Sequence, residues 1–225
     1  MTFVPALLGL SLLACDSDDS APAPVASTAP SVNEDAPPPP PADVNVPLPV
    51  LPEGDVLPVD PVASKILFKG SKITGSHDGG FDSFSGSVVI KDDNVVGTSF
   101  TIEMGSTTSD HPKLTKHLKS KDFFHVEKYA TAKFVSAEVV PAPNPGAVTH
   151  KVRGVLDFHG KQRPLSFPAS ISVGALETTV TASFDINRQN WGVAYPGKPD
   201  DLIKDDVEIQ LNLAFPAAKE EKAAE

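Results

Sequence analysis

From residue 64 onward the chain alternates apolar and polar positions with a period of two, the mark of half-buried strands. Ile66 and Phe68 oppose Lys65 and Lys69. Phe84, Gly86, Val88 and Ile90 share one parity, and Phe100, Ile102 and Met104 oppose Thr101 and Glu103. Ala132 and Phe134 oppose Lys133, and Val152, Leu156 and Phe158 oppose Lys151, Arg153 and Asp157. Leu165, Phe167, Ala169, Ile171 and Val173 follow, then Val180, Ala182, Phe184 and Ile186. The clearest run is the last, Val207, Ile209, Leu211, Leu213 and Phe215 against Glu208, Gln210 and Asn212. About eight strands are predicted. They are separated by turn signals at Gly79–Gly80, 92–94, 141–146, 159–164 and in the long 190–201 connection.

The period breaks once, between Asp110 and Phe134. Leu114, Leu118 and the Phe123/Phe124 pair recur at helical spacing with Lys113, Lys116, Lys119 and Lys121 between them, which predicts a short amphipathic helix. Pro112 suits its first turn, and Asp110 is the predicted cap. No other gap holds a helix, so the strands join most simply as antiparallel neighbours. One apolar face per strand gives one interior and a wet exterior, as in a closed barrel or a two-sheet sandwich. A membrane-spanning barrel has the same alternation turned inside out. It would also carry aromatic girdles at the strand ends, whereas here Phe is scattered through strand middles.

Composition divides the chain. Residues 21–61 carry thirteen of the 23 prolines, and no Phe lies between Phe3 and Phe68. Such a stretch cannot bury enough apolar surface to offset its ordering entropy, which predicts an extended, disordered tether. Nine carboxylates and no Lys or Arg precede Lys65, so the formal charge of -10 is almost wholly tether charge. The near-neutral remainder argues against a nucleic-acid partner. Ahead of the tether, Phe3–Ala14 is apolar, too short to span a bilayer, and ends in Leu12-Leu13-Ala14-Cys15. This resembles the lipobox of bacterial lipoproteins, in which the cysteine is lipid-modified and becomes the first mature residue. The alternative is an ordinary secretory signal with a coincidental cysteine. The segment lacks the usual opening Lys or Arg, which leaves room for a displaced start. The expected division is a signal segment over 1–14, an acidic lipid-anchored linker over 15–55, a β domain over 56–216 and a disordered tail over 217–225. The expected location is a bacterial cell envelope, anchored through Cys15 and facing the periplasm or the exterior.

Several stretches of the β domain resemble the YceI family. They are Asp60-Pro61-x-x-Ser64-x-Ile66-x-Phe68, Phe84-Ser85-Gly86, the HLKSKDFFHVEKY run from His117 to Tyr129, residues 152–160, Asn187-Arg188-x-x-Trp191-Gly192, and Asp206-Val207-Glu208-Ile209. The family usually has proline after the tyrosine, where this chain has Ala130, so the approach to the next strand is expected to be looser. The resemblance implies a lipocalin-like antiparallel eight-stranded β-barrel with one short helical insertion. It also implies a long-chain ligand, a polyisoprenoid, quinone tail or fatty-acyl chain, with no cofactor beyond that lipid.

The inward parity makes Phe68, Phe84, Phe100, Ile102, Met104, Phe134, Leu156, Phe158, Phe167, Phe184, Ile186 and Leu211 the candidate cavity lining, or else plain core. Leu114, Leu118, Phe123 and Phe124 form a lid over the mouth or a plug in one barrel end. Arg188 and Trp191 are placed at the rim, with Arg188 and Lys198 positioned by charge to meet a polar headgroup. A homodimer is left open, as is a filled barrel acting as an interaction module.

Enzymatic readings find little support. The six histidines show no i, i+4 pair of the helical zinc type, His111 and His117 being the pair nearest to one. Gly192 to Lys198 has phosphate-loop spacing but meets Pro199 where Ser or Thr is needed, and reads as an inter-strand loop turning at Pro196–Gly197. There is no G-x-S-x-G, and the domain has no cysteine. A non-enzymatic lipid carrier or sequestering protein is the expectation.

Overall fold

The computed structural model describes residues 45–142 and 146–217. The expected signal segment, Cys15, the expected linker up to residue 44 and the expected tail from residue 218 lie outside the described residues. The strands are β1 (Asp55–Pro58), β2 (Lys65–Lys72), β3 (Gly75–Phe81), β4 (Phe84–Lys91), β5 (Asn94–Glu103), β6 (Thr107–Ser109), β7 (Thr131–Pro141), β8 (His150–Phe158), β9 (Lys161–Val173), β10 (Glu177–Asn187), β11 (Gly197–Lys198) and β12 (Asp201–Pro216), with one helix, α1 (Pro112–Lys119).

Twelve strands replace the predicted eight because three runs are interrupted, not because the architecture differs. β1 and β2 follow one another along β4 and β3 (Pro58↔Ser87, Ile66↔Phe81). β3 and β4 in turn follow β6 and β5 (Gly80↔Thr108, Phe84↔Ile102). The break after β1 is a turn in which the Asp60 carboxylate accepts from the amides of Val62 (2.8 Å) and Ala63 (3.2 Å). The break after β5 is a single 3₁₀ turn at Met104–Ser106, closed by the Thr107 hydroxyl donating to the Met104 carbonyl (2.7 Å). β11 is a short ribbon against the start of β12. Counted as continuous runs, eight antiparallel staves remain, and because β12 pairs with β2 the ring closes. Apolar parity faces inward, while Lys65, Lys133 and Arg153 are exposed outside, the reverse of a membrane-spanning barrel.

Three local expectations are corrected. Gly79–Gly80 is not a turn but the middle of β3, paired with Phe68 and Leu67, and the reversal is Ile73–Thr74. The Phe68 ring lies across Gly79, so that stretch needs no large side chain of its own. The helix is capped by His111, whose Nδ1 accepts from the Lys113 amide (3.3 Å). Asp110 is drawn off to His77 (3.0 Å). Phe123 and Phe124 lie beyond the helix, in turns where the amide of Phe124 donates to Leu118 (3.0 Å) and that of His125 to Ser120 (2.8 Å).

Residues 45–54, assigned by composition to the tether, lie on the barrel. The Val46 amide donates to the Gln162 carbonyl (3.2 Å), and Asn45 Oδ1 accepts from the Gln162 amide (2.8 Å). Six residues on, Pro52 and Leu51 sit against Gly97, where an added Cβ would be 2.8 Å from Pro52 Cδ. Between these points run β8 and β7, whose outward-facing Val155 and Val135 are buried, as is Val89 on β4. A strap of alternating Val, Pro and Leu across an apolar outer row accounts for that burial.

Candidate functional site

The barrel encloses a cavity of about 440 Å³, within the range of small-molecule sites. Its floor is Val88, Val95, Val152, Val180 and Leu213; its middle is Phe100, Phe134, Leu156, Phe167, Phe184 and Leu211. Its mouth is Gly70, Lys72, His77, His117, Tyr195, Lys198 and Asp201. Two packed clusters bound it. One, at the floor, centres on Phe215, Val88 and Ile66, and the other, beneath the helix, on Met104, Leu118, Phe123, Phe158 and Trp191. Between them Phe100, Leu156, Phe184 and Leu211 point inward but are only partly buried. Inward side chains that remain accessible mark space that packing leaves unfilled.

Of the predicted lining, Phe68, Phe100, Ile102, Met104, Phe134, Leu156, Phe158, Phe167, Phe184, Ile186 and Leu211 border this space. Phe84 does not; it is sealed into the floor cluster with Val59, Ile66 and Phe215. Leu114, Leu118, Phe123 and Phe124 border the cavity from the helical side. Phe124 stands edge-on to Phe68 (6.5 Å between centroids) and Phe158 (5.7 Å). His117 meets Phe123 (4.9 Å) and Tyr195 (5.0 Å) edge-on and holds Asp122 through Nε2 (3.1 Å).

Two rim assignments change. Trp191 is buried behind Phe158, and its indole N–H donates to the Leu156 carbonyl (3.0 Å), so it backs the wall and does not line the cavity. Arg188 borders the cavity, yet its side chain is only 6% exposed and its donors are committed. They go to the carbonyls of Val193 (2.6 Å), Lys204 (3.1 Å) and Ile203 (3.4 Å) and to Asp205 (3.0 Å). It staples the β11 loop to the end of β10, with four of its five N–H hydrogens engaged.

The sequence reading missed Phe81, which sits beside the supposed Gly79–Gly80 turn, and Ile66, Val88 and Leu165, whose parity was correct. Of the polar mouth, Lys198 was anticipated, and Lys72 and Asp201 were not. Lys72 and Asp201 pair across the two reversals, and Asp201 also accepts from Thr74 (2.9 Å). The Lys72 ammonium, with help from Thr74, holds the Asp201 carboxyl below its ordinary range. Nothing in the sequence signals a pair so far apart along the chain. Behind the mouth His159, at φ 51°, donates from Nδ1 to the Trp191 carbonyl (3.1 Å) and lies against the Tyr129 ring at a tilt of 52°. Its Nε2 is buried without a hydrogen-bond partner among the described residues, and burial lowers its pKa. Among the described residues no three His, Asp or Glu side chains converge as a metal site would require.

The YceI-like domain family matches residues 58–215. A UPF0312 protein of Pseudomonas fluorescens is 31% identical over 115 residues, covering 48% of this chain and 58% of that one. A UPF0312 protein of Vibrio cholerae is 33% identical over 115 residues, covering 50% and 59%. The matched stretch thus spans about three-fifths of these curated relatives. Among solved structures, BcnA of Burkholderia cenocepacia superposes with a TM-score of 0.63 at 24% identity, covering 69% of this chain and 98% of that one. A polyisoprenoid-binding domain from Saccharophagus degradans superposes at 0.56 with 16% identity, covering 71% and 97%. At these identities the structural likenesses speak for the fold. With the closed eight-stave barrel and the family match over most of its length, the chain belongs to the YceI-like domain family.

Proposed function

We propose that this protein binds and carries, or sequesters, a long apolar chain of the isoprenoid or acyl type, with the tail in the barrel and the head at the mouth. The observation that carries this reading is the cavity of about 440 Å³ whose floor and middle are almost wholly apolar. Such a space lets a hydrocarbon tail leave water, which is favourable, and offers a charged substrate nothing in exchange for its hydration. The polyisoprenoid-binding domain from Saccharophagus degradans, which shares the fold, supports the same ligand class. Of the cations bordering the cavity, Lys72 is engaged by Asp201 and Arg188 by Asp205, which leaves Lys198 for a headgroup and the tail as the main source of affinity. A barrel packed solid, the interaction-module alternative, is disfavoured by the open middle. In this reading Cys15 is acylated and the domain works in the cell envelope, on a linker that keeps it near a membrane.

Native mass spectrometry of protein purified without detergent tests the proposal. A co-purifying lipid, or uptake of a prenyl chain of one-to-one stoichiometry after delipidation, is the expected result. Absence of both would remove the carrier reading.

A further inference from the structure

We infer that the mouth of the barrel is a docking face for an anionic lipid bilayer; this rests on the carrier reading above. Ile73, at the β2–β3 reversal, is 68% exposed, and Leu202, at the start of β12, is 47% exposed. They are neighbours, the Ile73 amide donating to the Leu202 carbonyl (3.2 Å), and the Lys72–Asp201 pair ties their two reversals together beside the opening. Turn tips ordinarily carry polar residues. Two aliphatic side chains on adjoining tips at a cavity opening suit partial insertion into a lipid surface.

Charge on the same end favours an anionic surface. Helix α1 turns Leu114 and Leu118 to the cavity and leaves Lys113 and Lys116 exposed, with Lys121 just beyond it. Neither these nor Lys198 forms an ion pair among the described residues. Of the nearby carboxylates, Asp201 and Asp205 are offset by Lys72 and Arg188, while Asp110 and Asp122 are hydrogen-bonded to His77 and His117, which cancel their charge only when protonated. Asp200, exposed between Lys198 and Leu202, is outnumbered. Free lysines around apolar tips are what an anionic leaflet attracts. The chain's own path agrees. Residue 45 leaves the barrel at Gln162, beside the His159–Gly160 reversal, which is at the mouth end. A tether anchored through earlier residues therefore attaches nearer the mouth than the floor.

The test uses the full chain with Cys15→Ser, so that acylation supplies no affinity, labelled with an environment-sensitive fluorophore at Ile73→Cys or, at the opposite end, at Leu176→Cys. Phosphatidylcholine vesicles containing phosphatidylglycerol should raise and blue-shift emission at position 73 severalfold, reversibly with salt, and leave position 176 unchanged. In flotation, Lys113→Glu/Lys116→Glu in the same unlabelled background should bind several-fold less. An unchanged signal at position 73, equal signals at both positions, or undiminished flotation would overturn the inference; the first of these would leave a protein partner for this face. Prenyl-chain uptake measured on the same variant separates the two ideas. Uptake without docking sinks only the docking face, and docking without uptake sinks only the carrier.

Discussion

Replacing Arg188 by methionine separates a structural staple from a ligand contact, because the two roles predict opposite readouts. Methionine keeps most of the length and removes all donors. The Val193 carbonyl, bonded at 2.6 Å in a buried position, loses its partner outright, and those of Lys204 and Ile203 lose theirs at partly buried ones. An orphaned buried acceptor costs about 1–3 kcal/mol. The half-exposed Asp205 adds at most about 1 kcal/mol. Against this, an apolar replacement no longer has to desolvate a guanidinium, which offsets part of the loss. The net destabilisation is about 2–4 kcal/mol. For a domain of this size each kcal/mol lowers the melting temperature by about 2–4 °C, so the transition should fall by roughly 5–15 °C in a thermal scan followed by circular dichroism. Lipid uptake measured well below the transition should change little. A variant that melts like the parent yet binds lipid much more weakly would refute the staple and restore Arg188 to headgroup recognition.

Other perturbations probe different joints. His159→Asn keeps a donor for the Trp191 carbonyl and tolerates positive φ. Because burial lowers the native histidine pKa below 6.5, the unfolded state takes up that proton first. Stability is therefore full above about pH 6.5 and lost as pH falls through the native value, and the variant should flatten the acid side of a plot of melting temperature against pH. Trp191→Phe leaves the Leu156 carbonyl without its indole donor and should cost about 1–3 kcal/mol in urea denaturation. Gly97→Val drives a side chain into Pro52; it should free the strap and make residues 45–54 an early site of limited proteolysis, with a loss of about 1–3 kcal/mol.

The strands with strong alternation, β8, β9, β10 and β12, were legible because a period of two with one wet face has few other readings. β3 was not, because Gly-Ser-His-Asp-Gly-Gly-Phe carries almost no β-forming side chain, and its pairing is supported by a phenylalanine from the neighbouring strand. The strap was read as tether for a related reason. Proline density predicts extension, and it does run extended, but the row Val89, Val135 and Val155 that it covers lies on strands far away in sequence. Phe84 and Phe100 have the same parity and composition, yet one is sealed and the other borders the lumen. Parity gives the side of the wall, and only the third dimension gives the distance across.

What keeps the lumen open is where the rings lie. Phe68, Phe100 and Phe134 each lie across a glycine of the neighbouring strand, Gly79, Gly86 and Gly154, with ring atoms 2.2–2.8 Å from where a Cβ would stand. Rings folded onto the wall do not project into the middle. The void they leave is large in energy: at about 24 cal/mol per Å³, the slope measured for small dry cavities, 440 Å³ corresponds to roughly 10 kcal/mol. That is comparable with the whole stability of a domain, and water admitted through the mouth lowers it. A side chain grown into the lumen should therefore meet space. Leu211→Trp, from a partly buried position in the middle of β12, should leave the melting temperature unchanged or raise it by a few degrees, while prenyl-chain uptake falls at least about tenfold, or 1.4 kcal/mol. In a solid core the same substitution would overpack and destabilise by about 1–3 kcal/mol. That loss, with binding intact, is the result that would show the barrel's middle to be packing and not a site.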